Sequence, residues 1–236
     1  MNFIRSLIFV VWQYGSMAAI AIGFAPFALF SERAAIAAAR VWARGAVWGL
    51  AAICGVRVEF RGAENIPKGR ALVASKHLSM LDTILPFAVF RDPAIVLKKE
   101  LLSFPVFGWY CQRAGMIVVD RSAHAIALRG MLRDARVQSA KGRVVFIFPE
   151  GTRQEIGAPP TYKPGVAALY RDLGLPCTPV AMNTGLFWPE GIIRRPGVAV
   201  VEFLPAIPPG LSREAFMTEL ERVIEGASNR LLDEAR

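Results

Sequence analysis

Histidine and cysteine are scarce, two and three among 236 residues. Cys54, Cys111 and Cys177 are odd in number and far apart, so no disulfide framework and no C-x-x-C pair is visible. Three reduced thiols and a cytosolic catalytic part are the simplest reading. So few ligands, so scattered, argue against a zinc site. The chain also lacks a G-x-S-x-G nucleophile elbow, a P-loop and a dinucleotide fingerprint. Acidic residues are outnumbered, 19 against 28 Lys and Arg, for a net charge of +9. That balance calls for an anionic partner: nucleic acid, an anionic membrane surface or a phosphorylated substrate. Neither an aromatic-rich RNA motif nor a helix-turn-helix pattern is present, so nucleic acid is set aside.

Charge is missing altogether from Ser6 to Ser31, a run of 26 residues. Residues 6–25 alone would make a helix about 30 Å long, enough to cross a bilayer core. Pro26 is expected to kink or end it. A second apolar stretch, 34–55, follows Arg33 and carries Arg40 and Arg44, the three arginines on one helical face, with Trp42 and Trp48 suited to a headgroup boundary. It reads as an amphipathic helix lying at the interface. A cleaved signal peptide and a buried core helix are the competing readings of the first run. The expected organisation is a membrane-anchoring pair of helices over 1–55 and a catalytic domain over 56–236.

From residue 56 the texture changes. Strands are expected at "VRVEF" (56–60), "ALVAS" (71–75), "AIVLK" (94–98), "MIVVD" (116–120), "VVFIF" (144–148), "CTPVAM" (177–182) and "VAVVEFL" (198–204). Helices are expected at 80–90, 105–115, 123–142, 164–174 and 212–235, the last capped by Ser212. Alternation of this kind predicts an α/β fold, a mixed and largely parallel sheet flanked by helices. Ligands in such sheets bind beyond the carboxyl ends of the strands.

Four of those ends carry polar chemistry. "KHLSMLD" (76–82) follows a strand and holds His77 five residues before Asp82. On one helix that offset is about 140° of rotation, so the two meet only if His77 precedes the helix and Asp82 lies in its first turn. Ser79 is placed to be the N-cap. Asp82 would then hold the Nδ1 proton of His77 and leave Nε2 as a base; the plain alternative is a surface histidine beside a helix-start aspartate. "FPEGTR" (148–153) offers Gly151 for close backbone approach, Arg153 as a planar fork for phosphate, and Glu150 to orient Arg153 or a substrate hydroxyl. Its plain alternative is a polar turn. "GMIVVDR" (115–121) ends in Asp120 and Arg121, a second phosphate candidate or a surface salt bridge, and "IVLKKEL" (95–101) adds Lys98 and Lys99. His124 opens a helix without an obvious partner.

At these residues the sequence resembles the glycerolipid acyltransferases, specifically 1-acyl-sn-glycerol-3-phosphate acyltransferases. Four blocks occur in order: His77 to Asp82, "GMIVVDR" ending at Arg121, "FPEGTR", and "TPVAMN" (178–183). The likeness covers about residues 56 to 205, and the N-terminal helices look like the membrane-docking motif of bacterial members. There are departures: Lys76 stands where Asn is frequent, Val118 where Phe is common, and Gln154 where Ser is usual.

The resemblance implies transfer of a fatty acyl group from a thioester, acyl-CoA or acyl carrier protein, to the sn-2 hydroxyl of lysophosphatidate, giving phosphatidate in phospholipid biosynthesis. His77 would be the general base held by Asp82. Lys98, Arg121, Glu150, Gly151, Thr152 and Arg153 would bind substrate. No metal and no further cofactor is implied. The bilayer is the expected partner, at the cytoplasmic membrane with the catalytic domain on the cytoplasmic side. Another lyso-lipid acceptor, such as lyso-ornithine lipid, is the alternative. A non-enzymatic lipid-binding protein and a lipid hydrolase stand further off.

Overall fold

The computed structural model describes residues 1–120 and 124–235. Two helices come first, α1 (Asn2–Ala28) and α2 (Glu32–Cys54). Then follow β1 (Val56–Arg61), β2 (Ala71–Ser75), α3 (Leu81–Val89), β3 (Pro93–Lys98), α4 (Pro105–Arg113) and β4 (Ile117–Val119). The remainder is α5 (His124–Ala140), β5 (Val144–Ile147), α6 (Gly165–Leu173), β6 (Cys177–Met182), β7 (Gly197–Phe203) and α7 (Arg213–Glu234).

The strands form one sheet in the order β1-β7-β6-β2-β5-β3-β4. Neighbours are parallel except β6 and β7, which pair antiparallel. β6, β2, β5, β3 and β4 therefore all end at the same edge, where the sequence places its polar blocks. β2 and β5 are buried at every residue. That is why "ALVAS" and "VVFI" are continuous apolar runs rather than alternating ones.

Along β2 the side chains sort by face. Val73 packs with Phe9, Leu50, Leu81 and Phe146 under α1 to α4. Leu72 and Ala74 pack with Met131, Leu169, Phe216 and Leu220 under α5, α6 and α7. The result is three layers, helix, sheet and helix.

The helix ends follow local chemistry. Ser31 Oγ accepts from the Ala34 amide and caps α2, and Ser212 Oγ accepts from the Ala215 amide and caps α7. Pro26 does not end α1, which continues through it to Ala28. A proline this near a helix C-terminus removes only its own N–H bond. The terminal carbonyls are supplied from outside: Arg113 donates to Ala28 O and Leu29 O at 2.9 and 2.7 Å.

α1 and α2 lie tightly together. Trp12 Nε1 donates to Gly45 O at 3.0 Å, and a Cβ on Gly49 would stand 2.2 Å from that indole nitrogen. Only glycine at 49 lets Trp12 lie flat on α2. The pair is fixed to the body by Arg143, whose side chain is 1% exposed. It reaches Glu32 at 2.9 Å, Asp92 at 2.6 Å and the carbonyls of Pro93 and Ala114 at 2.8 and 3.0 Å.

Candidate active site

His77 lies between the end of β2 and the start of α3, and Asp82 is the second residue of α3. This is the arrangement an offset of five residues requires. Asp82 is fully buried. Its Oδ2 accepts from the Leu78 and Ser79 amides at 2.6 and 2.7 Å and stands 3.2 Å from His77 Nδ1. Its Oδ1 accepts from Thr184 Oγ1 at 2.5 Å. Three close donors besides His77 thus converge on this carboxylate in the first turn of α3, with Ser79 Oγ further off at 3.5 Å. A carboxylate only accepts, so the facing Nδ1 carries the proton and Nε2 keeps its lone pair.

Ser79 is not the N-cap expected from the sequence; that position is Met80. Ser79 Oγ still accepts from the Leu81 amide at 2.9 Å, while Asp82 reaches back to the Ser79 amide. The reciprocal pairing explains why a serine three residues before an aspartate starts this helix.

The His77 ring stacks on Phe148, with centroids 4.2 Å apart. Its free face lines a cavity of about 1180 Å³. Met17 and Ile20 of α1, Trp42 of α2, Phe87 of α3 and Tyr110 of α4 supply apolar wall. Lys98, Arg153 and Lys163 supply cations to the same cavity. Its volume exceeds the roughly 300–1,000 Å³ common for small-molecule sites.

The expected binding residues divide. Arg153 is exposed, lines the cavity, and stands 3.8 Å from Glu190. Lys98 lines the cavity with its ammonium 3.2 Å from Glu100. Gly151 lines it too, with φ of +72°, a left-handed conformation that favours glycine. Thr152 is exposed beside them and does not line the cavity. Arg121 lies outside the described residues. Asp120 pairs with Lys99 at 2.8 Å on the surface.

Glu150 corrects the expectation that it orients Arg153 or a substrate hydroxyl. It is fully buried, and both of its oxygens are taken within the protein. Oε1 accepts from Lys76 Nζ at 2.6 Å and Oε2 from the His77 amide at 2.9 Å. Burial pushes its carboxyl above the usual carboxylate range, against the pull of Lys76 and of the His77 amide.

Three participants were not anticipated. Lys163 follows the "FPEGTR" loop at a distance of ten residues, and its amide donates to Pro149 O at 2.8 Å. Thr184 sits just past β6, and its place beyond a parallel strand end was the available signal. Glu225 of α7 bonds Lys76 from the far end of the chain, where nothing local marks it.

Comparisons with known proteins fit this geometry. A family model described as Acyltransferase matches residues 57–183. A 1-acyl-sn-glycerol-3-phosphate acyltransferase of Pseudomonas aeruginosa is 38% identical over 167 residues, 70% of this chain and 65% of that protein. One from Limnanthes alba is 34% identical over 158 residues, 65% of this chain and 55% of that protein. The match to these curated relatives thus spans less than two thirds of their length. The crystal structure of the 1-acyl-sn-glycerophosphate (LPA) acyltransferase PlsC from Thermotoga maritima aligns with a TM-score of 0.80 and 24% identity. It covers 100% of this chain and 99% of that chain, and shows that the fold is shared.

Proposed function

The chain belongs to the acyltransferase family, and from that premise we propose that it moves a fatty acyl group from a thioester to the sn-2 hydroxyl of lysophosphatidate. The observation that carries the reading is His77 itself. One ring nitrogen is held by Asp82, and the ring borders a large apolar cavity rimmed with cations. Curated relatives named for this reaction support the choice of acceptor.

In the reaction, His77 Nε2 takes the proton of the acceptor hydroxyl as its oxygen attacks the thioester carbonyl carbon. Asp82 stabilises the imidazolium that forms. The tetrahedral intermediate collapses, the C–S bond breaks, and the thiolate leaving group takes the proton back. No acyl-enzyme is needed. Arg153 and Lys98 hold the acceptor phosphate at the cavity mouth, and Arg121 is assigned the same task. The apolar wall takes acyl chain. The donor is acyl-CoA or acyl carrier protein, and the reaction feeds phospholipid synthesis.

The same reading makes the bilayer a partner. α1 and α2 are both long and apolar enough to cross one. Yet α1 is held to the body at both ends, Ser6 Oγ accepting from the Arg194 amide at 2.8 Å and Tyr110 OH donating to Ala21 O at 2.6 Å. A helix of that length, about 40 Å, tied along the domain cannot also traverse the membrane. Its outward residues Ile4, Val11, Ile22 and Phe27 are exposed and apolar. The pair therefore lies in one leaflet, on the side of the catalytic domain, which we assign to the cytoplasmic face.

The experiment is CoA release from acyl-CoA by purified protein with lysophosphatidate, with lyso-ornithine lipid and with neither. Acyl carrier protein serves as donor in a parallel arm. Release that needs lysophosphatidate and vanishes in His77→Ala supports the reading. Release without any acceptor marks a thioesterase and sinks it.

A further inference from the structure

Behind the catalytic loop lies a buried charged cluster that the reaction does not use directly. Lys76, with its side chain 6% exposed, is shared between two carboxylates. Its ammonium stands 2.6 Å from Glu150 Oε1 and 2.8 and 2.9 Å from the two oxygens of Glu225. Tyr162 OH donates to Glu225 Oε1 at 2.8 Å. Burial and the Glu225 charge both raise the Tyr162 phenol, so it stays a donor.

Each partner touches a different part of the site. Glu150 Oε2 holds the amide of His77. Tyr162 precedes Lys163, at the return of the loop that carries Arg153. The Gln154 amide donates to His77 O at 2.8 Å, which ties that loop to the base a second time. Glu225 comes from α7, 149 residues beyond Lys76 in the chain.

On the reading that this is an acyltransferase, we propose that Glu225 is a positioning residue for the reaction. Through Lys76 it sets the Glu150 carboxylate that holds the His77 backbone, and through Tyr162 it holds the return of the Arg153 loop. α7 thus serves the site although none of its residues lines the cavity.

The cluster holds one cation and two carboxylates. Lys76→Met leaves two carboxylates facing each other in a buried space, a strongly unfavourable state. Glu225→Gln keeps the shape and an acceptor for Tyr162 but removes one charge. The double variant returns the cluster to its original net charge with a single carboxylate. The order of damage should therefore be Lys76→Met greatest, with the double variant less impaired than Lys76→Met alone.

The test uses the full chain in detergent micelles, with wild type and the three variants compared for kcat, acyl-donor KM and amide hydrogen exchange at His77. For Glu225→Gln we expect kcat to fall about tenfold with donor KM within about twofold, the pattern of a misplaced base rather than lost binding. Exchange at the His77 amide should quicken. For Lys76→Met we expect a fall of about a hundredfold, of which the added Glu225→Gln recovers about tenfold. Unchanged kcat with only a lower Tm, or strictly additive losses in the double variant, would overturn the proposal. Should the wild type itself transfer nothing, the functional reading fails. Exchange then decides the network: quickened exchange at His77 in Glu225→Gln upholds it, and unchanged protection rejects it.

Discussion

Replacing Asp82 by Asn separates the electrostatic task of this residue from its structural one. Oδ2 faces three donors, the amides of Leu78 and Ser79 and the His77 Nδ1 side, while Oδ1 faces the Thr184 hydroxyl. An asparagine must put its oxygen toward the two amides, because its NH2 group would clash with them. The Thr184 hydroxyl can turn and accept from that NH2. The oxygen still faces His77, so the working tautomer survives. What disappears is the charge. With about 4 Å between charge centres and an effective dielectric of about 20, carboxylate and imidazolium attract by about 4 kcal/mol. At about 1.4 kcal/mol per decade, kcat should fall roughly a thousandfold. Loss of charge assistance at the three other donors should cost about 1 kcal/mol each, roughly 3 kcal/mol in total, which a domain of ordinary stability survives. The assay is initial-rate thiol release, with circular dichroism to confirm folding. A folded Asp82→Asn protein within about tenfold of wild-type kcat would show that the carboxylate only caps α3 and would refute the base assignment.

Thr184→Val removes one neutral donor from Asp82 and should lower stability by about 1 kcal/mol with kcat within about tenfold, read by thermal melts and rates on the same sample. Arg153→Ala should raise acceptor KM while leaving donor KM unchanged; equal acceptor KM in the two proteins would remove its phosphate role. Burial pushes the Cys111 thiol up to about 12 and Cys177 higher still. Iodoacetamide at pH 8 should therefore leave both unmodified in the folded protein, checked by mass spectrometry, with transfer unaffected. Arg143→Met should cost about 2 kcal/mol, mainly by taking their buried donor from the Pro93 and Ala114 carbonyls, since Asp92 stays partly hydrated and Glu32 keeps Lys141 at 2.7 Å, with kcat preserved, measured by urea denaturation.

Most elements were legible because their patterns were local. "ALVAS" and "CTPVAM" coincide with β2 and β6, since a strand buried on both faces is a bounded apolar run. Ser212 marks the start of α7 by its own hydroxyl. The order of strands was not legible, and neither was the reversal that sets β7 antiparallel to β6. Nothing local distinguishes a strand that returns from one that crosses over. At the site, His77 and Asp82 could be placed because only four residues separate them. Glu150 was misplaced because sequence shows a polar loop and not which way its side chain turns. It turns inward because a buried amide and a buried ammonium wait for it.

Lys76 shows why a single unusual residue in a motif is hard to weigh from sequence. Burying an ammonium costs several kcal/mol even after relaxation. One carboxylate, Glu150, is part of the motif and already committed in half to the His77 amide. A second anion is needed, and it must come from an element free to present one at that depth. α7 packs in the helical layer opposite α1 and α2, and its buried stripe runs through Phe216, Leu220, Ile224, Ser228 and Leu231, which sets Glu225 at the edge of the core beside Ile224. The lysine and the glutamate therefore belong to one substitution in physical terms, though they are separated by most of the domain. Losing the lysine alone leaves two carboxylates without their cation, and losing the glutamate alone leaves the ammonium with Glu150 as its one carboxylate in the cluster. Changing both leaves Glu150 with the single task the reaction requires of it, holding the backbone of the base.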